Sequence, residues 1–331
     1  MTNSEMVEQH VTGGRSDLRL QPSRCSRVRY GRSSCSKCVD ACPRQAITIA
    51  AGPMIDEDAC SGCLLCTVAC PVGAIERSCV LPTSLSRLTE AQDPILGCPN
   101  SGKEVDALLP CLGGISEEFL CVYSNLAHGR LAIDLSSCSS CGNGFVEARV
   151  RCSCDFIKEA GIVPEDRAPL LLGHGIYANR KEIGYDRRDF FKAFRKSMLS
   201  GAKALAASLD ERGVTEMRYG DKGLPVRRVM LNAFRKEANT GIAGRITARF
   251  DAEAIFREAC SGCFACAAAC PTGALVRTPR RDAAPSTIVV PGFDPSACVS
   301  CGLCVEFCPE KALEIRPSAA ANEKREAAIH A

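Results

Sequence analysis

The sequence lacks several features that mark common classes of protein. Its 331 residues contain no tryptophan, and aromatic residues make up only 5%. No apolar run approaches the roughly 18 residues of a membrane-spanning helix, so we expect no direct membrane insertion. Residues 1–24 are polar, without the apolar core of a secretory signal peptide. No G-x-G-x-x-G run is present, so nothing indicates a flavin or nicotinamide site.

Cysteine, by contrast, is abundant, with 24 residues. A disulfide framework forms in an oxidising compartment, whereas thiols that bind metal need a reducing one. Because the N-terminal residues do not form a signal peptide, we expect a cytoplasmic protein whose cysteines are thiols. The remaining composition, 24% charged and 46% apolar, is typical of a soluble protein with two or three domains.

Three stretches carry the same run of cysteines. They are CSGCLLCTVACP (60–71), CSGCFACAAACP (260–271) and CVSCGLCVEFCP (298–309). The run is C-x2-C-x2-C-x3-C-P, a bacterial pattern of iron-sulfur ligation in which the fourth cysteine ligates the neighbouring cluster. Three residues beyond each proline, an alanine followed by isoleucine or leucine predicts the start of a strand: Ala74-Ile75, Ala274-Leu275 and Ala312-Leu313.

A fourth stretch, RYGRSSCSKCVDACP (29–43), is the same run without its first cysteine. Cys35, Cys38 and Cys42 match the pattern, and Arg32 stands where a thiolate is needed. Cys25, ten residues before Cys35, lies in a basic, glycine-containing stretch that could loop back to supply the fourth ligand. The alternatives are a three-cysteine site with a 3Fe-4S or open-iron cluster, or no cluster at all.

Residues 25–80 and 252–316 resemble the bacterial two-cluster (2 x 4Fe-4S) ferredoxins. The resemblance implies that cysteines from the two runs of each module cross between two clusters. It implies these ligand sets: Cys260, Cys263, Cys266 and Cys308; Cys298, Cys301, Cys304 and Cys270; Cys60, Cys63, Cys66 and Cys42; Cys35, Cys38 and Cys70, with Cys25 as the expected fourth. We therefore expect three 4Fe-4S clusters, or four if Cys25 completes its set.

The formal charge does not indicate a nucleic-acid partner. The value of +3 counts every cysteine as neutral. A 4Fe-4S cluster with four thiolates carries about −2, so four clusters would make the chain acidic. We expect no nucleic acid and instead expect redox proteins as partners, such as the subunits of an oxidoreductase complex.

Residues 91–160 predict a small α/β unit. The apolar runs Val105 to Leu112 and Leu131 to Leu135 predict strands. Ser116 to Ala127 predicts a helix capped by Ser116, with two glutamates in its first turn. Strand, helix, strand indicates parallel pairing, which gathers strand ends at one edge of a sheet. Four cysteines fall at these ends and are candidates for an additional iron-sulfur cluster or metal ion: Cys98, Cys111, Cys138 and Cys141.

Other cysteines of this region have simpler interpretations. Cys152 and Cys154, with Cys138 and Cys141, have a spacing that could hold structural zinc. A helix is also predicted from Val146 to Ala160, however, and it would point Cys152 and Cys154 in different directions. Cys79 and Cys121 are expected to be small core residues. The four histidines form no cluster: His10, His128, His174 and His330.

Residues 161–250 are predicted to be helical and basic. Between Arg187 and Lys203, six lysines or arginines stand against one aspartate, which predicts an amphipathic surface helix. The predicted fold class is therefore α+β, with two ferredoxin-like modules flanking the α/β unit and this helical segment. The predicted divisions are an N-terminal tail (1–24), a first module (25–90), the α/β unit (91–160), the helical basic segment (161–250), a second module (251–316) and a C-terminal tail (317–331).

Several clusters in crossed-ligand pairs favour an electron-transfer protein that relays single electrons between partner oxidoreductases. Such a protein would be a non-catalytic subunit with no substrate of its own. The alternative is a redox enzyme or redox-sensing subunit whose chemistry lies in the middle α/β unit, at an open cluster or a reactive dithiol.

Overall fold

The computed structural model describes residues 18–50, 52–77, 87–101, 105–173, 221–237, 241–278 and 288–318. Within these ranges the chain is a mixture of helices and short strands, as the α+β prediction requires. The strands are β1 (Leu18–Leu20), β2 (Ile47–Ile49), β3 (Pro53–Ile55), β4 (Ile75–Arg77), β5 (Ile95–Gly97), β6 (Ala107–Leu108), β7 (Ala132–Asp134), β8 (Leu170–Leu172), β9 (Ala252–Phe256), β10 (Leu275–Val276), β11 (Gly292–Phe293) and β12 (Leu313–Pro317). The α-helices are α1 (Ser26–Arg29), α2 (Lys37–Asp40), α3 (Leu65–Ala69), α4 (Glu117–Leu126), α5 (Val146–Glu159), α6 (Val226–Glu237), α7 (Gly241–Ala248), α8 (Ala265–Ala269) and α9 (Leu303–Glu306).

The two cysteine-run modules share one topology. In the first module β1 pairs with β4 and β2 with β3, and in the second β9 pairs with β12 and β10 with β11, all antiparallel. In each module the outer pair joins the strand before the first run to the strand after the second, and the inner pair joins the strands between the runs. The pairing therefore holds the two runs of each module side by side.

Residues 18–24 do not belong to a polar tail, so that part of the prediction for residues 1–24 is wrong. Leu18 pairs with Arg77 and Leu20 with Ile75, which completes the outer strand pair of the first module. Leu18 also packs against a buried cluster that includes Ile47 and Ile75. Strand β1 was not predicted, because three residues are too few to show the alternation of apolar and polar residues that indicates a strand, and its partner lies far along the chain.

The middle unit is a four-stranded parallel sheet in the order β6-β5-β7-β8. Helix α4 begins where the sequence predicts, because the Ser116 hydroxyl accepts a hydrogen bond from the Phe119 N–H at 3.2 Å. The strand predicted from Val105 to Leu112 is only the two-residue β6, and the chain then turns through a 3-10 helix at Leu112–Gly114. The sheet packs on the largest buried apolar cluster among the described residues.

Strand β8 corrects the prediction that residues 161–250 are helical. Leu170 to Leu172 pair in parallel with Ala132 to Asp134 and form the edge of the middle sheet. The middle unit therefore extends beyond residue 160. A run of three leucines is too short to show the hydrophobic periodicity that distinguishes a strand from a helix.

Helix α6 connects the three parts of the molecule. Its first N–H, at Val226, donates to the Glu76 carboxylate at 2.8 Å, so a strand of the first module caps the helix. The helix packs along α4 of the middle unit. From the middle of the helix, the Asn232 side chain donates to the Ser296 carbonyl of the second module at 3.1 Å.

Several predictions lie outside the described residues, among them the amphipathic helix from Arg187 to Lys203, the burial of Cys79 and the positions of His10, His174 and His330. Among the helices that the structure describes, none combines the length and apolar character needed to cross a membrane.

Arg227 at the start of α6 should be a major determinant of stability. Its guanidinium donates to the carbonyls of Thr67, Val68 and Pro71 in the first module and pairs with Glu118 of α4 at 3.3 Å. The two charged side chains are only 17% and 13% exposed. Arg227→Met removes this half-buried ion pair and three hydrogen bonds to backbone carbonyls, and it should cost about 3 kcal/mol.

The measurement is the apparent midpoint of anaerobic thermal unfolding at one scan rate. Arg151→Met is the matched control, because Arg151 forms an exposed pair with Glu147 within one helix and should change the midpoint little. Equal midpoints for the two variants would contradict the connecting role of α6.

Candidate metal centres

The alanine that follows each run is buried, and its backbone N–H donates a hydrogen bond to a cysteine sulfur. The N–H of Ala46 donates to the sulfur of Cys42 at 3.3 Å, and Ala74 donates to Cys70 at 3.2 Å. Ala312 donates to Cys308 in the same way at 3.4 Å. These alanines are at most 3% exposed, so a larger side chain would not fit. The sequence repeat thus places an N–H donor on the sulfur of the fourth cysteine of the run.

The structure gathers cysteines into five sets of four, numbered here in their spatial order. They are set 1 (Cys98, Cys111, Cys138, Cys141), set 2 (Cys42, Cys60, Cys63, Cys66), set 3 (Cys25, Cys35, Cys38, Cys70), set 4 (Cys270, Cys298, Cys301, Cys304) and set 5 (Cys260, Cys263, Cys266, Cys308). In set 5, Cys260 is placed by its position in the same loop as Cys263 and Cys266.

In set 3, Cys25 lies near the three other cysteines, Cys35, Cys38 and Cys70. Cys25 is 8% exposed, whereas Arg32, at the position of the missing cysteine, is exposed. Burial raises the pKa of the Cys25 thiol, and negative charge at Cys70 and Cys35 raises it further. Burial, followed by charge at Cys70, Cys25 and Cys35, raises the pKa of Cys38 to about 11. The chain between Cys25 and Cys35 therefore turns back and brings Cys25 into the set.

Set 2 shows the crossing between runs in the first module. Burial raises the pKa of Cys66 to about 12, and charges at Cys63, Cys60 and Cys42 add to the effect. Cys42 belongs to the first run and the other three to the second. The residues that the resemblance pairs are thus neighbours in space.

The second module has the same crossing. Burial, then charge at Cys301, Cys270 and Cys298, raises the pKa of Cys304 in set 4. For Cys266 in set 5, burial raises the pKa first and charge at Cys308 adds to it.

Cys270 is an exception among these thiols. Burial acts to raise its pKa, but hydrogen bonds from the Thr272 hydroxyl and from the N–H groups of Leu275, Thr272 and Ala274 outweigh it, so the pKa is lowered. The Thr272 oxygen lies 3.5 Å from the sulfur. Donors to sulfur stabilise a thiolate in place, which is one of the interactions that tune iron-sulfur centres.

The donor atoms of these sets fit iron-sulfur clusters. Each set consists of four sulfurs, the soft donors that such clusters require. No group of three or more cysteine, histidine or acidic side chains in the described ranges is arranged to hold a single metal ion. A coordinated thiol is deprotonated, which reverses the raised pKa values of the metal-free chain.

Electrostatic interactions and packing connect neighbouring sets in the order 1-2-3-4-5. Burial is the largest cause of the raised pKa of Cys111 in set 1. Negative charge at Cys63 in set 2 raises this pKa further, and its effect is larger than that of Cys98 in the same set as Cys111. Cys38 in set 3 acts in the same sense on Cys66 in set 2. Cys266 in set 5 acts on Cys304 in set 4.

The junction between sets 3 and 4 joins the two modules. Val299 and Cys301 of the second module pack against a buried cluster that contains Cys25, Cys70 and Val72. The positive charge of Lys37 in the first module acts to lower the pKa of Cys301, although burial is the larger effect and raises it to about 12.

The segment between Cys25 and Cys35 contributes directly to this junction. The Tyr30 ring meets the Phe307 ring edge-on, with 5.0 Å between centroids. The Ser34 hydroxyl donates to the Glu306 carboxylate at 2.8 Å. The loop that follows Cys25 therefore also contacts the other module. The spacing of the run made Cys25 a candidate ligand, but no sequence pattern indicated either of these contacts between modules.

The alternative zinc set is not brought together. Cys152 is exposed and Cys154 is buried on α5, so the two side chains point in different directions, as the predicted helix requires. Cys121 is fully buried in the core, as expected. His128 is exposed.

Comparison with known proteins identifies both modules. A family model described as a 4Fe-4S dicluster domain matches the chain twice, over residues 32–74 and 259–312. An uncharacterized ferredoxin from Methanocaldococcus jannaschii is 33% identical over 90 residues, which are 25% of this chain and 52% of the relative. The chain thus spans about half the length of the curated relative it matches, and no solved structure matches it. The predicted ferredoxin resemblance is confirmed, and the two matched domains imply 4Fe-4S clusters.

Gly113 should control the approach between sets 1 and 2. A Cβ at this position would lie 2.1 Å from the backbone oxygen of Cys63. Gly113→Ala must therefore push the loops of Cys111 and Cys63 apart, and we expect faster bleaching of visible absorbance by an iron chelator under anaerobic conditions. Gly142→Ala is the control, because a Cβ at Gly142 meets nothing within 4 Å. Equal bleaching rates would show that the close approach is unimportant.

Proposed function

We propose that this chain, which carries two ferredoxin-type 4Fe-4S dicluster domains, relays single electrons between partner redox proteins. The clusters supply reversible one-electron oxidation and reduction, over a range of potentials that proteins tune widely. The chain's own residues hold the clusters in a row, limit their contact with water and provide the surfaces at which partners bind. In this role the protein has no substrate of its own.

The observation that supports this proposal most directly is the junction between the modules. The thiols of sets 3 and 4 belong to different modules, yet they share one buried cluster around Cys25, Cys70 and Val72. Electron transfer is fastest between centres that are close. Two independent ferredoxin domains joined by a linker would not require such packing, whereas a continuous relay does.

Cys25 is proposed as the fourth ligand of set 3. Its burial, its electrostatic coupling to Cys35 and Cys70 and the exposure of Arg32 all support this role. On this assignment each module holds two clusters, and set 3 occupies the centre of the row. Loss of the motif cysteine is then compensated by a loop that also contacts the second module.

Positive side chains near the sulfurs offset part of the cluster charge. Lys37 acts on Cys301, and the buried Arg228 acts on Cys298. Set 4 is therefore flanked by cations from outside its own loop. A nearby cation favours the reduced, more negative form of a cluster, so we propose that set 4 has a higher potential than set 5.

The relay is tested by anaerobic reductive titration, with the electrons taken up per chain compared with the number of clusters. All clusters of both modules should be reducible, and the fully reduced protein should show a broad EPR spectrum because neighbouring paramagnetic clusters interact. Clusters of one module that stay oxidised, or spectra of isolated non-interacting centres, would overturn the relay. A redox enzyme centred on the middle unit predicts instead that Cys138→Ser abolishes function while both modules still take up electrons.

Cys25→Ser should damage set 3 alone. We expect the iron content of anaerobically purified protein to fall by about one to four atoms per chain, with a 3Fe-4S signal if the cluster survives with three ligands. The measurement is iron and acid-labile sulfide per chain together with EPR. Cys152→Ser is the control, because its thiol is exposed on α5 and belongs to no set. Unchanged iron and an unchanged EPR spectrum in Cys25→Ser would remove Cys25 from the ligands.

A further inference from the structure

Four thiols of the middle unit lie outside both matched domains. Cys98 directly follows β5, and Cys111 follows β6 after two residues. Cys138 and Cys141 follow β7: Cys138 begins a 3-10 helix at Cys138–Ser140, and Cys141 comes directly after it. Strands β6, β5 and β7 are adjacent and parallel, so their carboxyl ends meet at one edge of the sheet. Three separate chain segments therefore bring four thiols to one place.

Polar groups at this edge are arranged around the sulfurs. The backbone N–H of Asn143 lies 3.5 Å from the sulfur of Cys141, and the Asn100 amide donates to the same sulfur at 3.6 Å. The Ser101 hydroxyl lies 3.7 Å from the sulfur of Cys98 and also accepts a hydrogen bond from the Cys98 N–H. Donors aimed at sulfur are the environment that iron-sulfur centres use to stabilise bound thiolates.

The loops that carry these donors are fixed in position. The Ser137 hydroxyl donates to the Asn100 carbonyl at 2.5 Å, which ties the loop after β5 to the loop after β7. A Cβ at Gly144 would lie 2.7 Å from the carbonyl oxygen of Cys138, so only glycine lets the chain close around this turn without a shift. Cys138 is 8% exposed and belongs to the main buried cluster, against which Cys98 and Cys111 pack.

The thiols interact as those of the ferredoxin modules do. Cys98, Cys111 and Cys141 all lie within electrostatic range of Cys138. All four cysteines are thiols, so a disulfide does not account for the grouping.

We propose that Cys98, Cys111, Cys138 and Cys141 bind an additional iron-sulfur cluster through four thiolates at the carboxyl edge of the middle sheet. The site is built by a parallel α/β sheet and shares no motif with the two dicluster domains.

The surroundings place this site at one end of the row of clusters. The Asn143 side chain donates to the Ser61 carbonyl at 3.1 Å, and the Arg44 guanidinium donates to the Gly142 carbonyl at 2.8 Å. Both hydrogen bonds join loops of set 1 to the first module beside set 2. The cluster would therefore extend the relay, a role that rests on the proposed function, while its presence can be tested independently.

The experiment compares iron and acid-labile sulfide per chain in three anaerobically purified proteins: the unaltered chain, Cys138→Ser and Cys152→Ser. Four cubanes in the modules account for about sixteen iron atoms. We expect about eighteen in the unaltered chain if the additional cluster is 2Fe-2S and about twenty if it is 4Fe-4S. Cys138→Ser should lose this excess and keep the rest, and Cys152→Ser should lose none.

Two results would overturn the proposal. One is an iron and sulfide content that is the same in the unaltered chain and in Cys138→Ser, whatever the total; the other is one zinc per chain that Cys138→Ser loses in place of iron. If Cys138→Ser is insoluble, Cys141→Ser gives the same comparison, because the Cys141 thiol is only partly buried. Iron lost in Cys138→Ser, in a protein whose modules fail to accept electrons, would retain the site and reject the relay, whereas modules that accept electrons while Cys138→Ser loses no iron would do the reverse.

Discussion

The burial of sulfur is the constraint on which this structure depends. In the second module the buried cluster consists of four cysteines, four alanines and two leucines, and no aromatic side chain is fully buried there. Thiols crowded in this way repel one another once ionised, and burial alone makes their ionisation costly. Strands of two to five residues add little stability of their own. The folding of each module is therefore coupled to the binding of the positively charged iron-sulfide cores that neutralise the thiolates.

The middle unit is built on a different principle. Its core contains large aliphatic and aromatic side chains packed against a parallel sheet, among them Leu96, Leu120, Phe119 and Ile133. Helix α6 packs on that core and reaches both modules through Arg227 and Asn232. A conventional hydrophobic core thus fixes the positions of two modules that have little hydrophobic core of their own.

The sequence was most informative where chemistry demands a fixed spacing. The complete runs could be recognised because three thiols around one cluster leave few choices of spacing, and the strand starts after each proline could be predicted with them. The crossing of Cys42 and Cys70 followed from the resemblance to two-cluster ferredoxins. Strands β1 and β8 were missed, since each is three residues long and depends on a distant partner. The contact between Tyr30 and Phe307 could not be predicted, because it depends on how two modules pack.

The two modules follow one another in the same orientation. Cys63 and Cys301 occupy equivalent positions in the second run of their modules. Cys63 lies against Gly113 of the middle unit. Cys301 lies against Cys70 and Val72 of the first module. Val72 of the first module packs against Val299 and Cys301 of the second, and Gly73 beside it is buried too. The equivalent residues of the second module are Glu310 and Lys311, and both are exposed. The position that forms an apolar contact between modules in one copy therefore carries two exposed charged side chains in the other.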